Sequence, residues 1–321
     1  MERSPHAGAW ALSDGRAGNA RQAMALATAL ETAAGECVLG SRPPWRWCAP
    51  RRLPGAGNAF GEAFAAMLAS PPALAVGCGR QAALATRLLR ERGTRVVQVL
   101  DPRIAPSHWD LVVVPAHDRV RGDNVVTLLG SLHPVDDAWL ERGRAQFPAP
   151  AAFAAPRTAL LVGGPTAQAS WDGRAFSAWL DAIDAILARE GGVLMVSASR
   201  RTPARHRARL RARCAGRAAL LWIDERDGAN PYAGLLAWAD RIVCTPDSVN
   251  MVSEAAATRV PVFVADPGIA RGRLRAFLNA LAARGRIRPM DGTLAPFAVE
   301  PLRETARVAA EIRSRLGLDP G

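Results

Sequence analysis

Short runs of apolar residues recur along the chain, separated by polar segments that contain glycine. Two stretches with helical periodicity, Gln22–Leu30 and Gln81–Arg90, lie between such runs. The runs are continuous rather than alternating, which is typical of parallel strands buried on both faces. The pattern therefore predicts a doubly wound α/β sheet in the first half of the chain. Its predicted strands are Ala9–Leu12, Ala73–Val76, Val96–Leu100, Leu111–Val114 and Val125–Thr127.

The same pattern starts again in the second half. The segment 148–156 has three prolines among small residues and breaks both periodicities, so we predict a linker there. An amphipathic helix is predicted at Ala175–Arg189. We therefore expect an N-terminal domain over 1–150 and a C-terminal domain over 151–297. The predicted strands of the second domain are Thr158–Val162, Val193–Val196, Ala219–Ile223, Arg241–Cys244 and Val260–Val264.

A last amphipathic helix is predicted at Pro301–Leu316. Leu302, Ala309 and Ile312 recur there at helical spacing, with arginines and glutamates between them. Because its apolar face needs a partner, we expect the segment 298–321 to pack back toward the N-terminal domain.

The composition is that of a globular protein, with 49% hydrophobic and 22% charged residues over 321 positions. The formal net charge is +12, and all 41 basic residues are arginine because the chain contains no lysine. Without lysine there is no Walker A lysine, no Schiff base and no Tyr-x-x-x-Lys pair of the short-chain dehydrogenase and epimerase type. Nucleic-acid binding has no support beyond the charge.

The five cysteines form no Cys-x-x-Cys pair and have no histidine at metal spacing, so we expect neither disulfides nor a metal site. No apolar run is long enough to cross a bilayer, and the N-terminus has no secretory pattern. We therefore expect a cytoplasmic chain without a bound cofactor.

In an open parallel sheet the ligand binds beyond the carboxyl ends of the strands, so loops that follow strands are the candidate walls of a site. One such loop, Asp14–Asn19, contains Gly15 and Gly18, which let the backbone approach a ligand, and Arg16, which offers a fork of donors. Its alternative interpretation is a tight turn with a solvated Asp and Arg.

The loop Gly163–Thr166 opens the second domain in the same way. Gly163 and Gly164 permit close approach of the backbone to a ligand, and Thr166 supplies a hydroxyl. By itself this signal is equally consistent with a structural turn.

Two further loops of the second domain precede helices. Ser197–Pro203 contains two serines and two arginines, and we predict that Thr202 caps the following helix. Asp247 or Ser248 is predicted to cap the next one. The N–H groups and the dipole at a helix start favour an anion, by about 0.3–1 kcal/mol where exposed. We therefore predict a diphosphate at these two helix starts, although a solvated basic loop is the alternative for the first.

Asp247, Met251 and Glu254 are spaced to share one helix face, and Glu254 is predicted to accept the ribose hydroxyls of a nucleotide. Asn230 and Tyr232 follow another predicted strand, where a base could be stacked or read. The full predicted nucleotide-binding set is Gly15, Arg16, Gly18, Asn19, Gly163, Gly164, Thr166, Ser197, Ser199, Arg200, Arg201, Thr202, Asn230, Tyr232, Thr245, Asp247, Ser248, Met251, Ser253 and Glu254.

A sugar acceptor hydroxyl needs a nearby proton acceptor. Asp14, His117 and Asp118 all follow predicted strands of the N-terminal domain, and we take them as the candidate general bases.

Together these motifs resemble the bacterial branch of the mitochondrial fission ELM (elongated mitochondria) family, whose fold groups with GT-B glycosyltransferases. The resemblance runs nearly from end to end and departs from the family pattern at Asn19, where relatives have histidine, and at Asn250. It is carried by Trp10–Asn19, Leu100–Arg103, Val113–Asp118, Leu161–Pro165, Ser199–Pro203, Asn230–Tyr232 and Thr245–Ala255.

The resemblance implies a GT-B architecture, in which two Rossmann-like doubly wound domains face a central cleft. It implies a donor site in the C-terminal domain and an acceptor site in the N-terminal domain. We therefore expect a metal-independent glycosyltransferase that moves a sugar from a nucleoside diphosphate to an envelope or lipid-linked glycan at the inner face of the membrane. The alternative is a non-catalytic scaffold that recruits a protein partner or docks on an anionic membrane.

Overall fold

A computed structural model describes residues 8–31, 33–216 and 219–318. The contacts between residues divide the chain into two compact units. The first unit runs to Pro134 and resumes at Glu304, and the second unit comprises Val135–Arg303.

The first unit is a sheet of six parallel strands in the order β2-β1-β3-β4-β5-β6. The strand order reverses between β1 and β3, so the crevice beyond their carboxyl ends is the topological switch point. Every residue of β3 and β5 is buried, as the continuous apolar runs predicted. The elements are β1 (Ala9–Ser13), α1 (Ala17–Leu30), β2 (Gly35–Val38), α2 (Trp45–Cys48), α3 (Glu62–Ala69), β3 (Leu74–Cys78), α4 (Arg80–Arg90), β4 (Arg95–Val99), β5 (Leu111–Pro115) and β6 (Val125–Leu128).

The second unit is also a six-stranded parallel sheet, in the order β12-β11-β10-β7-β8-β9. Its switch point lies between β7 and β10. The elements are α5 (Asp137–Gln146), β7 (Arg157–Val162), α6 (Gly173–Glu190), β8 (Val193–Ala198), α7 (Ala204–Cys214), β9 (Leu220–Trp222), α8 (Tyr232–Trp238), β10 (Arg241–Cys244), α9 (Val249–Ala256), β11 (Val262–Val264), α10 (Gly272–Ala283) and β12 (Ile287–Pro289).

Helix α5 belongs to the second unit, so residue 150, which we predicted as the domain boundary, lies inside that unit. At Gly143, α5 comes so close to α8 that an added Cβ would lie 2.8 Å from the carbonyl oxygen of Ala233. Arg144 Nε donates to the carbonyl of Ala237 at 3.0 Å. This helix packing overrides the proline-rich signal in the sequence.

The last helix, α11 (Glu304–Leu316), packs on α1 and the sheet of the first unit through Val308 and Ile312, which are buried. It begins at Glu304 rather than at Pro301. Glu304 Oε2 accepts a hydrogen bond from the N–H of Leu129 at 3.0 Å. None of the described helices is both long and apolar enough to span a bilayer.

Helix α9 ends on a buried arginine, Arg286, which is 3% exposed. Its guanidinium donates to the carbonyls of Ala256 at 2.7 Å and Thr258 at 2.7 Å, and also to that of Ala255. A cation favours the negative end of a helix dipole. Burial lowers the pKa of Arg286 to about 10.

Replacing Arg286 with methionine should lower the free energy of unfolding by about 3 kcal/mol, because several buried carbonyl groups lose their donor at once. Urea denaturation measures this change. Arg284→Met is the control, since Arg284 is exposed, and it should stay within about 0.5 kcal/mol of the original chain. Equal effects of the two substitutions would contradict the capping role.

Candidate functional site

Two loops of the second unit are joined by hydrogen bonds at the switch point. The N–H of Gly163, after β7, donates to Thr245 Oγ1 at 2.8 Å. The N–H of Gly164 donates to Asp247 Oδ2 at 2.7 Å. The loops after β7 and β10 are therefore one rigid structure.

This arrangement favours the structural alternative for the two glycines. Their N–H groups donate to Thr245 and Asp247 within the protein. An added Cβ at Gly163 would lie 2.0 Å from Asp247 Oδ2, and one at Gly164 would lie 2.2 Å from the carbonyl oxygen of Arg201. Both positions need glycine because neighbouring loops pack against them.

The loop after β8 reaches the same point. Arg201 Nη2 lies 3.3 Å from Asp247 Oδ2. Thr202 Oγ1 donates to the carbonyl of Gly163 at 2.5 Å and lies 3.3 Å from Ser199 Oγ. Three loops from the adjacent strands β10, β7 and β8 thus converge on Asp247.

The prediction that Thr202 caps α7 is wrong. The helix begins at Ala204, after Pro203, and no side chain caps it. The Thr202 side chain is buried, and its hydroxyl instead donates to the carbonyl of Val162 at the end of β7 at 3.1 Å.

Asp247 is a buried charge of the site, since its side chain is 0% exposed. Burial raises the pKa of its carboxyl, while hydrogen bonds from the Thr245 hydroxyl and the Gly164 N–H act in the opposite direction. Trp171 Nε1 donates to Oδ1 at 3.2 Å. Since the donors all converge on this carboxylate, Asp247 organises the loops and does not cap a helix.

Ser248 resolves the open alternative at the start of α9. Its side chain accepts from the N–H of Met251 at 3.4 Å, so Ser248 is the N-cap. The first N–H groups of a helix, here those of Val249 and Asn250, have no partner within the helix. Both residues are partly exposed.

The predicted base-reading and ribose-binding residues also meet. Tyr232 Oη donates to Glu254 Oε2 at 2.6 Å, and the N–H of Tyr232 donates to Asn230 Oδ1 at 3.0 Å. Glu254 is 1% exposed. The carboxylate therefore ties the start of α8 to α9, and its contact with a ribose stays a prediction.

The remaining predicted positions of this unit differ in exposure. Arg200 is exposed in the loop after β8. Ser197 and Ser253 are each 2% exposed, within β8 and α9. Thr166 Oγ1 accepts from the N–H of Ala169 at 3.1 Å and closes its own turn.

Sequence analysis missed Trp171. It precedes α6, contacts Phe176 and His206 through its ring, and donates to Asp247. A lone tryptophan outside any periodic segment carries no sequence signal for such a contact.

In the first unit, the loop after β1 is shorter than predicted. Helix α1 begins at Ala17, so Gly18 and Asn19 are helical rather than part of a ligand loop. Asn19 Nδ2 donates to Asp14 Oδ1 at 2.9 Å, and the N–H of Arg16 donates to the same atom at 3.2 Å. Asn19 also contacts Gly79, where an added Cβ would lie 2.6 Å from Nδ2.

The three candidate bases are not brought together. Asp14 follows β1 at the switch point of the first unit, whereas His117 and Asp118 follow β5, three strands away along the sheet. At about 4.8 Å per strand, this separation is about 14 Å. Asp118 is 7% exposed. Among the residues that the structure describes, no group of three or more histidine, cysteine or acidic side chains could hold a metal ion.

Two solved structures that share this fold have names that mention a uridine nucleotide. The UDP-GlcNAc 2-epimerase from Methanocaldococcus jannaschii matches with a TM-score of 0.58 and 13% identity, over 95% of this chain and 99% of that one. S. aureus MnaA, solved with UDP, matches with a TM-score of 0.52 and 12% identity, over 97% and 98%. At such identities the likeness concerns the fold. The predicted fold class, a GT-B-like pair of doubly wound units, is confirmed.

Sequence comparison gives two relatives, and this chain spans less than two thirds of the length of the first. The mitochondrial fission protein ELM1 of Arabidopsis thaliana is 28% identical in an alignment of 275 residues that covers 76% of this chain and 64% of that protein. The uncharacterized protein RP120 of Rickettsia prowazekii is 22% identical, over 78% of this chain and 81% of its own length. The model of the family described as mitochondrial fission ELM1 matches residues 17–316. The chain therefore belongs to the mitochondrial fission ELM1 family.

Proposed function

We propose that the second unit binds a nucleoside diphosphate sugar and that the protein transfers this sugar to an acceptor held by the first unit. The observation that carries the proposal is the convergence of three strand-to-helix loops on Asp247 at the switch point of the sheet. Ligands of open α/β sheets bind at such a point.

The diphosphate would lie between the start of α9 and the loop after β8. Arg201 is 51% exposed although it pairs with the fully buried Asp247, so the acidic group is hidden while the guanidinium reaches solvent. Val249 and Asn250 offer helix N–H groups beside it. Arginine and a helix start together supply the positive charge that a leaving diphosphate needs.

Uridine is the base that we propose, because S. aureus MnaA was solved with UDP and the UDP-GlcNAc 2-epimerase from Neisseria meningitidis with UDP-GlcNAc. The loop of Asn230 and Tyr232 would face the base. Tyr232 donates to Oε2 of Glu254, and a ribose hydroxyl would donate to the same carboxylate.

Asp14 is the proposed general base for an acceptor hydroxyl on an envelope or lipid-linked glycan. Its side chain is 19% exposed, and its loop lies at the switch point of the first unit. Asn19 and Arg16 orient its Oδ1 atom. A carboxylate that is both oriented and accessible suits proton transfer.

A second candidate is a scaffold without catalysis. It is favoured by the Arabidopsis relative, which is named for mitochondrial fission and not for a transferase. A scaffold needs no nucleotide, so nucleotide binding separates the two functions.

We predict that UDP binds to the purified protein and that Arg201→Ala weakens this binding about tenfold or more, since a charge-assisted hydrogen bond is lost. Isothermal titration with UDP, GDP and CMP measures it. Arg284→Ala, which removes an exposed arginine of the same unit, should leave the affinity unchanged. If none of the three nucleotides bound, the proposed donor site would be contradicted and the scaffold function would be favoured.

We predict that Asp14→Asn lowers sugar transfer by about 10²–10⁴-fold, because the proton acceptor is lost. The measurement is release of UDP from UDP-GlcNAc in the presence of a membrane lipid extract. Affinity for UDP should not change. Asp118→Asn is the matched substitution, and a loss of activity there rather than at Asp14 would show that the base is misassigned.

A further inference from the structure

Trp47 and Val38 are large apolar side chains that the first unit leaves in solvent. Trp47 is 69% exposed and Val38 is 60% exposed. Singly exposed apolar residues are common, so the neighbours of these two decide whether they form a surface.

The segment that follows Val38 in the chain is basic and is flanked by the exposed Glu36 and Glu62. The segment 39–61 contains four arginines and no acidic residue. All four arginines are exposed, and Arg52 pairs with Glu91 across 2.5 Å. We call this set the Trp47 surface; it consists of Val38, Arg42, Arg46, Trp47, Arg51 and Arg52.

The backbone of the Trp47 surface is held in place by α4. Arg80 donates to the carbonyl of Trp47 at 3.1 Å and to that of Arg46 at 3.1 Å. Arg87 donates to the carbonyl of Pro50 at 2.7 Å. The indole of Trp47 is thus presented from a fixed backbone.

The surface adjoins the loop of Asp14. An added Cβ at Gly15 would lie 3.1 Å from Val38 Cγ1, so the end of β2 contacts the loop after β1. Helix α4, which holds Trp47, follows Gly79, and Gly79 contacts Asn19 beside Asp14.

Other arginine-rich parts of the chain differ from this surface. On α7, Arg211 pairs with Asp227 at 2.7 Å and Arg213 pairs with Asp184 at 2.7 Å. Those two arginines are neutralised within the second unit. The large apolar residue of α7, Leu210, is buried. A basic patch with an exposed indole is found at the Trp47 surface.

We propose that the Trp47 surface docks on an anionic lipid bilayer. Tryptophan favours the interface between water and lipid, and arginine near a bilayer is attracted to acidic head groups. Charge complementarity therefore selects an anionic membrane as the occupant. The adjoining Asp14 loop would then receive an acceptor from that membrane, a step that rests on the proposed function.

Vesicle flotation tests the docking. The full chain is mixed with vesicles of phosphatidylcholine that contain a minority of phosphatidylglycerol, and with vesicles of phosphatidylcholine alone. We expect binding to the first kind only, weakened by added salt. Trp47→Ala should weaken binding to the anionic vesicles at least about tenfold. The substitution removes the apolar indole surface that would be transferred from water into the bilayer interface. Trp47→Leu should weaken binding less.

Charge substitutions give the matched comparison. Arg46→Gln and Arg51→Gln should each weaken binding about fivefold, and the two substitutions are also combined in one double variant. Arg142→Gln combined with Arg284→Gln removes as much charge from exposed sites of the second unit and should have little effect. Circular dichroism of each variant confirms that it is folded.

The proposal would be overturned if the Arg46/Arg51 and Arg142/Arg284 substitutions weakened vesicle binding equally. It would also be overturned if Trp47→Ala left vesicle binding unchanged. A dimer in sedimentation velocity that Trp47→Ala abolishes would also overturn it, because a second copy would then be the occupant. Titration of the same variants with UDP tests the nucleotide site separately from the membrane docking. Failure of UDP to bind would contradict the donor site and leave the vesicle result standing.

Discussion

The second unit depends on a buried carboxylate, that of Asp247. Removing a charge from water is costly unless hydrogen bonds replace the solvent. Here the replacement comes from the backbone of Gly164, the indole of Trp171 and the guanidinium of Arg201. These three donors belong to segments other than the loop of Asp247, and the Thr245 hydroxyl adds a hydrogen bond from within that loop. The same interactions that satisfy the charge therefore fix where three strand-to-helix loops end.

Helix α9 is fixed at both ends, by a hydrogen-bond acceptor at its start and by a hydrogen-bond donor at its end. Ser248 caps its start, and Arg286 holds the carbonyls at its end. The positive end of the helix remains at the switch point with two N–H groups that have no partner in the helix. A helix so fixed offers an anion a preformed set of donors. Binding then needs little rearrangement of the backbone, which is the usual condition for strong electrostatic stabilisation.

The central strands could be predicted because they are buried on both faces. β10 was predicted with its observed bounds, Arg241–Cys244. β2 was missed because it lies at the edge of its sheet, where its residues alternate in exposure and include Glu36. β12 was missed for a similar reason. It is an edge strand of the second sheet, and its residues Arg288 and Pro289 are exposed.

The candidate site was predicted in position and only partly in detail. Loops after strands can be found from the apolar pattern, so Arg201, Thr202 and Asp247 were all named. Which donor meets which acceptor depends on contacts between segments far apart in sequence. Gly163 and Thr202 were therefore assigned to a ligand or a cap, although each completes a hydrogen bond inside the protein.

The two switch points of the chain each have an aspartate, and their exposure separates their roles. The Asp247 side chain is 0% exposed and faces donors from three loops, so its hydrogen-bonding capacity is used by the fold. Asp14 is 19% exposed, and it accepts hydrogen bonds from Arg16 in its own loop and from Asn19 in the first turn of α1. A proton acceptor must be reached by substrate. The same residue type at equivalent sites is thus structural in the second unit, whereas in the first it is accessible and is the base that we propose.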